Sequence, residues 1–150
     1  MKEIVISKDK SVFRLDRNGR WHNAGGPFEH KKIIDYFHAS IRRDEGGFHL
    51  FQERGDCREK VYFPYEDTAL FVFGVAFDAE AVVLTLNTGQ RIEMAPESLF
   101  VRNDQLYTRL NEDPVKFTER CLIKLSKRLS LEDGRYFIRI GPDKHEIPEV

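Results

Sequence analysis

Phe13-Arg-Leu-Asp-Arg-Asn-Gly-Arg-Trp21 and, later, Phe100-Val-Arg-Asn-Asp-Gln-Leu-Tyr107 open two stretches that say nearly the same thing. Behind the first come Pro27-Phe28, an apolar run through Ile34, Phe37 and Ile41, and the acidic turn Asp44-Glu45-Gly46 ahead of Phe48-His-Leu50. Behind the second come Pro114-Val115, the run Leu122, Leu125 and Leu129, and Glu132-Asp133-Gly134 ahead of Tyr136-Phe-Ile138. Leu122, Leu125, Leu129 and Gly134 each lie 88 positions after Ile34, Phe37, Ile41 and Gly46, and the offset slips by one before the prolines, as a change of loop length causes. Repetition decides architecture, because each copy is one supersecondary unit that needs a neighbour to bury its apolar face. The expected fold is α+β, with two repeat-related hairpin-helix-strand lobes joined by a central antiparallel sheet. The first lobe covers 1–55, the central antiparallel strands 56–96, and the second lobe with a mobile C-terminal tail 97–150.

Local signals fill in this plan. Asn18-Gly19 accepts the positive φ of a tight turn and predicts a hairpin that brings Trp21 back along Phe13 to Leu15. Gly25-Gly26-Pro27 predicts the start of an amphipathic helix running to about Arg43, with Ile33, Ile34, Phe37 and Ile41 on its apolar face. A short strand over Phe48 to Phe51 follows. Val61 to Phe63, Leu70 to Phe77 and Ala81 to Leu86 are rich in branched and aromatic residues at strand length, and Asn87-Thr88-Gly89-Gln90 turns the last into Arg91 to Met94. The nearly unbroken apolar run Ala69 to Phe77 predicts a central strand covered on both faces. In the second copy Asn103-Asp104 predicts a turn, and Asp113 an N-cap for a helix from Pro114 to about Leu129 facing Thr118, Cys121, Leu122, Leu125 and Leu129 inward. A last strand runs from Arg135 to Ile140, and the tail with Pro142 and Pro148 is expected to be mobile.

Composition bounds the function. The chain has 150 residues, 41% of them hydrophobic, enough for a real core, and a net charge of −1 that gives no basic footprint for nucleic acid. Neither an export-type leader over Met1 to Ile6 nor a long apolar span is read, so a cytoplasmic protein is expected. Cys57 and Cys121 are read as reduced thiols, Cys121 as core. His22, His30, His38 and His49 form no ligand cluster, so no metal and no cofactor are expected. No nucleophile elbow is present, and Pro27 removes a donor that a phosphate-binding loop would use. Arg120, Lys124, Lys127 and Arg128 read as a solvated helix face.

Glu59-Lys60-Val-Tyr-Phe-Pro-Tyr-Glu66-Asp67-Thr68 stands apart, because it sets two acids directly before the most hydrophobic strand. If it is extended, the period of two places Lys60, Tyr62 and Glu66 on one side. Acids there either pair with a cation, cap a turn, or carry a raised pKa suited to proton transfer or ligand binding. The structural alternative has Asp67 and Thr68 holding a turn while Glu66 meets an arginine.

Glu59-Lys60 followed by Glu66-Asp67 resembles the central motif of the bacterial domain-of-unknown-function 1285 family. So do the Asn18-Gly19-x-Trp21 hairpin, the glycine-proline start of the helix, Arg42-Arg43-Asp44-Glu45-Gly46, and Leu106-Tyr107-Thr-Arg109-Leu110. The resemblance covers most of Ser11 to Ile140. Cys57-Arg-Glu-Lys60 through Glu66-Asp67 is also weakly similar to the uncharacterised protein family 0598. The family's pattern puts a proline before the Glu-Lys pair and Ala-Pro after the Glu-Asp pair, where this chain has Cys57-Arg58 and Thr68-Ala69. The resemblance implies a two-lobed α+β fold with repeated motifs, no established activity, and a signalling or regulatory role.

The expected function is therefore a non-catalytic module that binds a small ligand or a protein partner in a groove between lobes, lined by Trp21, Arg42, Lys60, Glu66, Asp67 and Arg109. Homodimer formation stays open; nucleic acid and membrane are not expected partners. The alternative is an enzyme using Glu66 or Asp67 as general acid or base on a small anionic substrate held by Lys60 or Arg109.

Overall fold

Residues 2–150 are described by a computed structural model, in which the chain divides into two units, residues 1–69 and 70–150. The first contains β1 (Lys2–Ile6), β2 (Phe13–Leu15), β3 (Trp21–Asn23), β4 (Gly26–Pro27), α1 (Lys31–Ala39), β5 (Ile41–Asp44), β6 (Gly47–Arg54) and β7 (Cys57–Tyr62). β2, β3 and β4 form a small antiparallel meander, and β5, β6 and β7 form a second one that β1 extends by pairing parallel with β7. The Asn18-Gly19 hairpin forms as expected. Gly19 takes φ 79°, and the Asp16 carboxylate accepts the Asn18 and Arg20 N–H groups, so the turn is closed by one side chain.

The second unit contains β8 (Leu70–Asp78), β9 (Ala81–Leu86), β10 (Arg91–Glu93), β11 (Phe100–Arg102), β12 (Gln105–Leu110), β13 (Asp113–Phe117), α2 (Glu119–Leu125), β14 (Leu129–Glu132), β15 (Arg135–Ile140) and β16 (Asp143–Ile147). Its six-stranded sheet runs β10-β9-β8-β13-β12-β11, with β8 and β13 parallel at the centre, and β14, β15 and β16 make a separate antiparallel meander. The fold is thus α+β with mixed sheets. The segment read as central antiparallel strands divides, β7 belonging to the first unit's sheet and β8 to β10 to the second's.

Both helices are shorter than their apolar spacing predicts. Gly26-Pro27 forms β4, so α1 begins only at Lys31, and it stops at Ser40, whose hydroxyl donates to the Tyr36 carbonyl. The β-branched Ile41 then opens β5, so the run that reads as a helical face from Ile33 to Ile41 spans a helix and a strand. In the second unit Pro114 lies in β13 opposite Arg109, outside the stretch Val115 to Phe117 that pairs with β8, where its missing N–H deprives no ladder partner. The N-cap is therefore Thr118, whose hydroxyl oxygen accepts the Cys121 N–H, and Asp113 begins a strand instead.

Two further expectations are corrected. The run Ala69 to Phe77 is buried only as far as Val72, while Phe73 and Phe77 are 39% and 43% exposed, so the strand is not covered on both faces along its length. The tail is not without structure. It forms β16, after which Val101 donates its N–H to the Pro148 carbonyl and Val150 donates back to the Val101 carbonyl.

Candidate functional site

Trp21, 1% exposed, is the hub of the first unit's core. Its indole stands edge-on to Phe13, Phe37 and Phe63, with ring centroids 4.9–5.9 Å away. Its Nε1–H donates to His38 Nδ1 at 3.3 Å, so the neutral imidazole carries its proton on Nε2. Burial pushes the His38 pKa from 6.5 down to about 4, against a small opposing pull from the Asp35 carboxylate. Trp21 is thus a core residue with no free face for a ligand.

Over this core lies an open pocket of about 390 Å³ between the β3–β4 turn and the start of α1, lined by Asn23, Gly25, Phe28, His30, Ile33 and Phe37 among others. Phe28 stands edge-on to Phe37 at 5.0 Å, giving an aromatic floor, and Ile33, 46% exposed, forms one rim. Nothing in the sequence marks this pocket in advance, because its residues come from a turn and one helical face and none is individually reactive.

The acidic motif separates into two places. Lys60 donates to Asp44 Oδ2 at 3.0 Å, and the Tyr62 hydroxyl donates to Asp44 at 2.9 Å. Gly46 makes room for this phenol, since a Cβ there would sit 2.8 Å from the Tyr62 oxygen. The bond from Lys60 is the largest influence on Asp44 and brings its pKa to about 2, while Asp44 in turn raises that of Lys60. The buried His49 lies 3.7 Å from the same carboxylate. Asp44, Lys60 and Tyr62 are therefore held in their ordinary charge states at neutral pH, and their bonds tie the end of β5 to β7.

Glu66 does not share this place, because the chain leaves the strand after Tyr62. Glu66 accepts from Arg14 at 3.3 Å and from both the backbone and the guanidinium of Arg17, and these Arg17 bonds hold its carboxyl below the usual range. Next to it, His22 meets Asp16 at 2.7 Å. Burial pushes the Asp16 carboxyl up, but hydrogen bonds from Arg20, His22 and Asn18 outweigh it and hold the group low. Asp67 is half-buried beside the buried Thr68. Arg42 turns back to the Ala39 and Ile41 carbonyls. Arg109 belongs to the second unit, its guanidinium 4.1 Å from the centre of the Phe100 ring, which stacks on Tyr107 at 5.1 Å. The six residues expected to line one groove are thus spread over several local arrangements.

The second unit also holds a lysine–carboxylate pair. Lys144 donates to Glu132 at 2.7 Å, and this bond, helped by Ser130, holds the Glu132 carboxyl low. A smaller pocket of about 140 Å³ lies nearby, its wall including Val101, Leu106, Leu122, Leu129, Phe137 and Ile147. Among the described residues no group of three or more histidines, cysteines or acids is placed to hold a metal ion, and no helix is long and apolar enough to cross a membrane.

Compared with known proteins, the chain matches no family model and no curated protein. Its structure is similar to that of a DUF1285 family protein from Silicibacter pomeroyi DSS-3, at TM-score 0.64 and 16% identity over 97% of this chain and 81% of that one. It is also similar to a DUF1285 family protein from Shewanella baltica OS155, at TM-score 0.56 and 14% identity over 77% of this chain and 91% of that one. The fold is thus that of solved proteins in the family the sequence resembles.

Proposed function

We propose that this chain is a non-catalytic binding module with a regulatory or signalling role, taking a small ligand or the side chain of a protein partner in the first unit's pocket. The observation that carries the reading is the 390 Å³ opening itself, which has the size of a ligand site, an aromatic floor and a few polar groups at its edge. The enzyme reading asks Glu66 for a raised pKa, and Arg17 moves it the other way.

The same proposal takes the two units as copies of one plan. Its support is positional. α1 and α2 begin at Lys31 and Glu119, β5 and β14 at Ile41 and Leu129, and β6 and β15 at Gly47 and Arg135, each pair 88 apart. Leu15 exchanges backbone bonds with Pro64 and Glu66, as Val101 does with Pro148 and Val150. Asp44 and Lys60 stand in the first meander where Glu132 and Lys144 stand in the second.

A thermal-shift screen of small molecules, repeated on Ile33→Asp, tests the function. Ile33 is exposed enough for the substitution to leave the fold intact while placing a charge on the rim. Compounds seated in this pocket should raise the melting temperature of the parent chain, fail on the variant and be recovered chemically unchanged. A screen in which no stabilising compound loses its effect on Ile33→Asp, or turnover of a bound compound, would refute the proposal.

A further inference from the structure

The second unit's pocket is explained by what the first unit carries at the same positions. Leu15 and Val101 each form the isolated parallel bridge of their unit, to Tyr65 and Glu149. Their partners across the hairpin are Trp21 and Leu106. Likewise Phe63 and Ile147 each stand directly before the proline whose carbonyl receives that bridge residue's N–H. Trp21 and Phe63 touch edge to face at 4.9 Å and are almost wholly buried, so the first unit fills the space above its bridge with two aromatic rings. Leu106 and Ile147 are smaller, and both line the 140 Å³ pocket, together with Leu122, Leu129, Tyr136 and Phe137. A closed apolar cavity of about 150 Å³ takes a benzene-sized guest, and this space is about as large, with a mostly apolar wall and one side open to solvent. Here Gln105 and Ser130 add hydrogen-bonding groups to the lining.

We propose that the second unit binds a small molecule through a single aromatic ring, which occupies the space that aromatic side chains fill in the first unit, with a polar substituent meeting Gln105 or Ser130. This site is independent of the pocket over Phe28 and Phe37, and its ligand is a different one.

Benzene and phenol are the probes. Each should raise the melting temperature by about 3–6 °C at ten times its dissociation constant, phenol at the lower concentration. Benzene should move the methyl resonances of Leu106, Leu122, Leu129 and Ile147. Leu106→Trp, which gives the second unit the first unit's residue, should fill the space and abolish the benzene effect, while Ile33→Asp should leave it intact. Ile147→Phe gives the same reading if the tryptophan variant does not fold. The inference is overturned if saturating benzene moves none of these methyls, if it moves only that of Ile33, or if stabilisation persists in a folded variant. Loss of the Ile33-dependent ligands alone would sink the function proposed above and leave this site standing.

Discussion

Acid should loosen the first unit through one histidine. His38 is 3% exposed and accepts the Trp21 indole N–H on Nδ1, so protonation there both charges a buried ring and removes an acceptor. The unfolded chain takes up this proton near pH 6.5, whereas the folded chain resists until about pH 4. Between those values the unfolded state binds more protons, so stability falls as pH falls through the window and levels off below it. The gap corresponds to roughly 3 kcal/mol in full, and about 2.5 kcal/mol of it is lost on going from pH 7 to pH 4.5. Trp21 is the single tryptophan and lies in the first unit, so urea unfolding followed by its fluorescence reports that unit. The matched variant is His38→Gln, whose amide oxygen can still accept the indole N–H without titrating. The parent chain should lose about 2.5 kcal/mol more than the variant between the two pH values. Equal losses in both would refute the reasoning, because carboxylates such as Asp16 and Asp44 contribute alike to the two chains.

Thr118→Ala should cost about 1 kcal/mol, since the hydroxyl both caps α2 and donates to the Val72 carbonyl at 3.0 Å; Thr118→Ser should keep most of it, as read by thermal melts. Both cysteines are free, Cys57 half-buried and Cys121 buried. A thiol reagent should therefore label one group quickly in the native protein and the second only on unfolding, for a total of two.

Much of the fold is legible residue by residue. The turns at Asn18-Gly19, Asn103-Asp104 and Asn87 to Gln90 lie where their φ requirements predict, and β6, β9, β10 and β15 follow their branched and aromatic runs. The helices misread because Ile34, Phe37 and Ile41 satisfy a helical period by number alone, while the chain leaves the helix at Ser40 and Ile41 already opens β5 inside that period. The tail misread because Pro148 looks like a terminator, yet its carbonyl is the part used, and proline keeps its carbonyl. At the site, Lys60 and Tyr62 do share a side, as strand parity requires. Their common partner Asp44 lies two strands away in the sheet, a distance that no local pattern encodes. The pockets were illegible for a related reason: each depends on which side chains are small enough to leave room.

The two parallel pairings also set when each unit can form. Lys2 pairs with Cys57 and Leu70 with Val115, so the opening strand of each unit waits for one that follows 55 or 45 positions later. Closing spans of that length costs chain entropy that the local hairpins do not, so these two pairings are expected to form after the meanders. During synthesis β1 emerges long before β7 and stays an unpaired strand carrying Ile4 and Val5 until the sheet is ready. An extension that holds those first residues away from β7 would delay the first unit and leave the second to fold on its own schedule.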